Sequence, residues 1–171
     1  DWQDRIRDEV ASLNKSHIDF DDLGDNLKDT EMLFKEVLRL HPPVPQLMRR
    51  TVRDTEIDGH HIPAHTLVQA SPLYTHRMEE WWTNPHNFDP DRFGPGREEH
   101  KKHPFMWAPF GGGAHKCIGL HFAGMVFKCV LADILPKYRL KFIDGYQYPA
   151  KVQHFPFAKP LDDMPLILEK L

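Results

Sequence analysis

The sequence predicts a mainly α fold with small β-sheets, and three observations carry that reading. Residues 118–135 form a long apolar run at helical spacing. There Phe122, Met125, Val126, Phe127, Val130, Leu131, Ile134 and Leu135 cover most of a helix circumference, which predicts a helix lying in an interior. Residues 48–69 read instead as extended chain, with Ile62, Leu67 and Val68 of strand type around an Asp58-Gly59 turn dipeptide. The 15 prolines predict long ordered loops between such elements.

In chain order, residues 1–13 read as a helix followed by a polar linker, and residues 29–40 as a second helix. His41-Pro42-Pro43-Val44-Pro45-Gln46-Leu47-Met48 stops that helix. Proline cannot continue a helix and biases its predecessor to an extended form, so a stiff passage follows. A short helical piece over 73–78 leads into irregular chain rich in Pro, Asn and Asp through residue 93. Residues 94–103 are polar and charged, as a mobile surface loop would be, and strands over 138–142 and 166–169 finish the chain. No internal repeat is visible, and 171 residues are enough to bury one core.

The formal net charge of -3 gives no reason to invoke nucleic acid. Two cysteines far apart on one helix argue against a disulfide scaffold and fit a reducing compartment rather than secretion. No apolar run reaches membrane-spanning length and no signal peptide is visible. The expected location is therefore the cytoplasm for a bacterial protein, or a membrane surface if an anchor precedes Asp1.

The most informative segment is Phe110-Gly111-Gly112-Gly113-Ala114-His115-Lys116-Cys117-Ile118-Gly119. It sets one cysteine at the mouth of the apolar helix, where free N–H groups and the positive end of the helix dipole favour a thiolate. Glycines there let backbone approach a flat cofactor, Gly119 leaves room beside the first helical turn, and Phe110 can screen the sulfur. Taken singly, these features also describe an inert core thiol or a phosphate-cradling turn. Zinc held by His115, Cys117, His121 and Cys129 fails on distance, because Cys129 lies roughly 18 Å along the helix from Cys117.

The loop resembles the haem-ligand signature of the cytochrome P-450 superfamily, Phe-x-x-Gly-x-(Arg/His)-x-Cys-x-Gly, and matches it at Phe110, Gly113, His115, Cys117 and Gly119. Glu36-Val37-Leu38-Arg39 is similar to that family's E-x-x-R, and Phe88-Asp89-Pro90-Asp91-Arg92-Phe93 to its P-x-R-F element. The three occur in the family's order. Leu40-His41-Pro42-Pro43, Leu47-Met48-Arg49 and Ala70-Ser71-Pro72 are similar to bacterial sterol demethylases.

The resemblance implies the cytochrome P-450 fold, with residues 1–171 as the C-terminal haem-binding portion of its single domain. The distal helix with its acid–alcohol pair is then expected before Asp1. It implies haem b, with Cys117 as thiolate ligand to the iron and as the catalytic residue. Arg49, Phe110, Gly111, Gly113, His115, Gly119 and Ala123 would make the remaining cofactor contacts. Neighbours on a strand face opposite ways, so Arg49 and Arg50 cannot both point inward, and the resemblance favours Arg49 because it fits the family's offset from the Asp58-Gly59 turn. Glu36, Arg39 and Arg92 would form a buried structural triad. Val44, Gln46, Leu47, Phe155 and Phe157 would line the substrate pocket.

The implied function is insertion of one atom of dioxygen into an apolar small molecule such as a sterol, terpenoid or fatty acid. Electrons would come from a ferredoxin or flavoprotein reductase, with Lys101, Lys102, Lys116 and Lys128 offering a basic docking face. A peroxide-using or isomerising haem-thiolate enzyme and a non-catalytic haem-binding fragment are the alternatives.

Overall fold

The computed structural model describes residues 1–24, 26–154 and 157–171. Helix α1 (Trp2–Ser12) is capped by the Asp1 carboxylate, which accepts from the amides of Gln3 and Asp4. Helix α2 (Lys28–Leu40) has no such local cap. Its free amides are met from α1, where Glu9 accepts from Asp29 N at 2.6 Å, Thr30 N at 3.0 Å and Thr30 Oγ1 at 2.7 Å. One carboxylate therefore closes the start of α2 and fixes it to its neighbour.

After the proline passage come four short strands. Strands β1 (Leu47–Arg50) and β4 (Leu67–Ala70) pair antiparallel, enclosing a hairpin of β2 (Thr55–Ile57) and β3 (His60–Ile62). That hairpin turns on Asp58 and Gly59 with φ of 51° and 77°, the paired left-handed conformation its dipeptide predicts. A one-turn helix, α3 (Pro72–Thr75), starts at Ser71, and tight helical turns cover Pro90–Phe93 and Glu99–Lys101.

Helix α4 (Leu120–Ile134) follows the glycine loop, then β5 (Tyr138–Phe142) pairs antiparallel with β8 (Leu166–Lys170). Between them β6 (Val152–Gln153) and β7 (Lys159–Pro160) form a small hairpin. The helical and small-sheet class read from the sequence thus holds. No described helix is long and apolar enough to cross a membrane.

The core lies where α2 meets the irregular chain: Trp82, Phe93 and Met106 are buried, with Met32, Trp81 and Trp107 against them. Two expectations need correction. Helix α4 is not enclosed by this chain, because Phe34 of α2 fills one side against Gly124 and Phe127, while Phe122, Val126 and Val130 stand exposed on the other. Residues 94–103 are not a free loop either. Glu99 is buried and accepts from Thr83 N and Arg92 Nη1, each at 3.0 Å, and from Arg97 Nη2 at 2.6 Å.

Candidate functional site

The glycine loop leaves the body of the protein at Ala108, whose carbonyl accepts from Gly111 N at 3.0 Å to close a turn around Pro109 and Phe110. Gly111 and Gly113 take φ of 72° and 64°, a region that side chains with a Cβ rarely enter. The chain then folds back so that Cys117 N donates to Phe110 O at 2.9 Å. Cys117 is exposed and carries no disulfide. Its sulfur accepts from Gly119 N at 3.3 Å.

Helix α4 starts two residues later than periodicity suggests, at Leu120, with Gly119 as its cap and no capping side chain. The amide that reaches the sulfur thus belongs to the residue just before the first turn. The first-turn amides and the positive end of the helix dipole lie at that same end. A Cβ built on Gly119 stands 3.4 Å from Sγ, so the glycine keeps space beside it open. Ala123 opens the helix ladder by donating to Gly119 O at 2.8 Å and is half-buried.

Phe110 is half-buried, and its ring packs on Phe34 and Trp107 with centroids 6.3 and 6.4 Å apart. Trp107 is itself held by an indole bond to Lys35 O at 3.0 Å. His115 is exposed beside the sulfur loop. Arg49 and Arg50 diverge as strand neighbours should: Arg50 bonds His65 O, while Arg49 lines a hollow of about 400 Å³ with Leu47, Ala70, Phe105 and Gly112. That hollow gathers the arginine, one candidate pocket residue and the glycine loop. An exposed sulfur, glycines in left-handed backbone and an arginine lining a hollow with Gly112 fit a flat, anionic-edged cofactor bound through its metal.

The candidate pocket residues are only partly gathered. Val44 and Leu47 are half-buried and Gln46 is exposed. The later hairpin reaches the proline passage through Ala158 N, which donates to Pro43 O at 2.8 Å. Phe157 next to it is exposed. Phe155 lies outside the described residues.

Glu36, Arg39 and Arg92 form one fully buried cluster. Glu36 accepts from Arg39 Nε at 2.7 Å, Arg39 Nη2 at 2.9 Å, Arg92 Nε at 3.3 Å and Asp89 N at 2.8 Å. The other guanidinium N–H groups reach carbonyls, Arg39 to His76, Pro85 and Asn87 and Arg92 to Thr83, Asn84 and Asn87, and Arg92 Nη1 also donates to the Glu99 carboxylate.

Sequence reasoning missed two members of this network, Glu99 and His76. Burial pushes the Glu99 carboxyl up, but bonds from Arg97 and Thr83 and the charge of Arg92 bring it below its ordinary value. The lysine face is corrected at one position. Lys128 is buried, bonding Leu23 O at 2.7 Å and Glu31 at 3.0 Å, so it ties α4 to α2 rather than facing a partner. Lys101 pairs with Glu98 and Lys102 with Trp81 O, leaving Lys116 as the exposed lysine next to the sulfur.

Comparison with known proteins agrees over nearly the whole chain. The family model described as Cytochrome P450 matches residues 1–162. Cytochrome P450 136 of Mycobacterium tuberculosis is 40% identical over 168 residues, 98% of this chain and 34% of that protein. Sterol 14alpha-demethylase of Mycobacterium bovis is 40% identical over 111 residues, 65% of this chain and 25% of its own. The structure of retinoic acid bound cyanobacterial CYP120A1 superposes with a TM-score of 0.91 at 27% identity, covering 99% of this chain and 39% of that one. The chain spans about a third of the length of the curated relatives it matches.

Proposed function

The chain belongs to the cytochrome P450 family, and from that premise we propose that it is the haem-binding part of a haem-thiolate monooxygenase acting on an apolar small molecule. The observation that carries this reading is the exposed Cys117 sulfur, held at the mouth of α4 with one amide donated to it. In this proposal Cys117 ligates the iron of haem b. Gly111, Gly113 and Gly119 give the macrocycle room, Phe110 and Ala123 pack near it, and Arg49 and His115 meet its carboxylates. When bound, the haem supplies oxygen activation, and a thiolate ligand favours O–O cleavage by donating electron density.

The protein's own part is placement. Gly119 N–H tempers the charge on sulfur without removing it, as hydrogen bonds to a ligand sulfur do. The Glu36–Arg39–Arg92 cluster locks α2 to the chain that leads into the loop, so that the sulfur is presented at a fixed height. Val44, Gln46, Leu47, Phe155 and Phe157 are proposed to face the substrate, with Leu47 nearest the glycine loop. A sterol or terpenoid is supported by the name of the Mycobacterium bovis relative and by the retinoic acid in CYP120A1. A fatty acid is the third candidate. The proposed electron donor is a ferredoxin or flavoprotein reductase, with Lys116 on its docking face.

Replacing Cys117 by Ser tests the assignment. The side chain is exposed and its amide bond is a backbone one, so folding should be unchanged to within about 0.5 kcal/mol. The red-shifted Soret band of the reduced carbon monoxide complex should vanish. An unchanged band rules out sulfur ligation at this position. Product formation with an electron donor and oxygen, compared with peroxide alone, then separates a monooxygenase from a peroxide-using enzyme.

A further inference from the structure

We propose that His76 is the positioning residue of the sulfur loop, bridging α2 to the Ala108 amide through a neutral imidazole and so fixing where the loop leaves the protein body. The inference rests on the function proposed for Cys117, but its geometry stands apart from it. The His76 side chain is fully buried. Its Nδ1 lies 3.1 Å from Arg39 O, and its Nε2 lies 3.0 Å from Ala108 N. A carbonyl can only accept and an amide can only donate, so one form alone satisfies both contacts: a proton on Nδ1 and a lone pair on Nε2. A second proton would set the imidazole N–H against the amide N–H.

From Ala108 the bonds continue into the site. Its carbonyl holds Gly111 N, and Phe110 O holds Cys117 N. The last turn of α2 is thereby joined to the ligand cysteine through one imidazole and a series of peptide groups. No sequence-local contact does this, since His76 is separated from Ala108 by 32 residues and from Arg39 by 37.

The surroundings keep the ring neutral. The Arg39 guanidinium donates to the His76 carbonyl at 2.7 Å, and Arg77 is the next residue in the chain. The Glu36 carboxylate is already engaged by Arg39 and Arg92, and Trp82 packs edge-on with centroids 6.4 Å apart. Burial lowers the His76 pKa to about 4, helped by the charges of Arg39 and Arg77 and opposed by the bond to the Arg39 carbonyl.

The test uses the haem-loaded protein as its diamagnetic reduced carbon monoxide complex, with His76→Gln and His76→Phe beside the wild type. Nitrogen-15 spectra should place the single imidazole proton on Nδ1 at neutral pH. His76→Phe should raise amide exchange at Ala108 at least about tenfold, the loss of one bond's worth of protection, and disturb the sulfur-dependent Soret band. His76→Gln, whose side-chain oxygen can accept from Ala108, should restore both. A proton on Nε2, an imidazolium at neutral pH, or failure of Gln to restore protection overturns the proposal. Should His76→Phe not fold, the tautomer and the Gln variant still decide. A chain that folds but takes up no haem defeats the functional reading instead, and Ala108 exchange and the tautomer then judge His76 separately.

Discussion

The interior around Glu36 and the surface around Cys117 are joined by one bonded path, yet they are built on opposite terms. In the first, three fully buried charged side chains spend nearly every donor and acceptor on one another or on named carbonyls. In the second, the sulfur and a row of apolar side chains (Ile118, Phe122, Val126 and Val130) are open, and the loop is shaped by backbone bonds and left-handed glycines. A buried polar network defines geometry because no member can leave without stranding a charge. An open loop defines little by itself, but it remains free to be completed by a ligand. The rigid region is thus built for precision, and the open one is where the proposed chemistry would take place.

The largest test of that division is Glu36→Ala. It leaves two arginines buried without their shared carboxylate and should cost about 3–5 kcal/mol, read as a lower urea midpoint. Haem incorporation should be lost rather than turnover merely slowed. A variant with full haem content would show that the sulfur loop does not depend on the buried cluster.

Acid should weaken the rigid region next. His76 and His100 are each lowered to about 4, first of all by burial, from an ordinary value near 6.5. Between those values the unfolded chain binds more protons, so stability rises with pH across the window. The contribution is fully present above about pH 6.5 and is lost as pH falls through 4. For the fully buried His76 it amounts to about 3 kcal/mol. Asp22 extends the loss further. Bonds from Asp19 N and Lys15 hold its carboxyl at about 2, so its stabilisation goes only as pH falls below the usual carboxylate range. Thermal midpoints measured from pH 7 to pH 2 should fall in these two stages, and His76→Gln should shrink the upper one, leaving the part due to His100.

Much of this was legible in the sequence wherever the signal is local. The Asp58-Gly59 hairpin, the stop at Pro42 and Pro43, and α2 follow from turn chemistry, missing amides and helical spacing. The family's loop signature was legible because it lies in ten consecutive positions. Glu99 and His76 were not, since their meaning comes from Arg92 and Thr83, or from Arg39 and Ala108, which only the fold brings near. Lys128 misled for the same reason, because a lysine on an apolar helix reads as surface until Glu31 and Leu23 are seen beside it. The open side of α4 also escaped, because periodicity reports an apolar face but not whether these 171 residues cover it.

A smaller effect should follow from Gly113→Ala in the open region. Gly113 holds φ of 64° with nothing within 4 Å of a built Cβ, so the substitution tests backbone strain without a clash. About 1–2 kcal/mol is the expected cost of an L side chain in that conformation. Thermal unfolding should show it, and a neutral result would mean that the loop relaxes at no cost, sharpening the contrast with the buried cluster.

The smallest effect on stability, Gly119→Ala, bears most directly on the sulfur. With φ of -77° and ψ of 0°, alanine fits the backbone, and the poorer helix cap should cost only about 0.5 kcal/mol. The added methyl, however, would stand 3.4 Å from Sγ, on the side that Gly119 keeps open. Thermal unfolding should therefore be nearly unchanged while haem affinity falls and the sulfur-dependent Soret band moves. A band and an affinity equal to those of the wild type would show that the space beside Cys117 is not used, and that the glycine there serves only the start of α4.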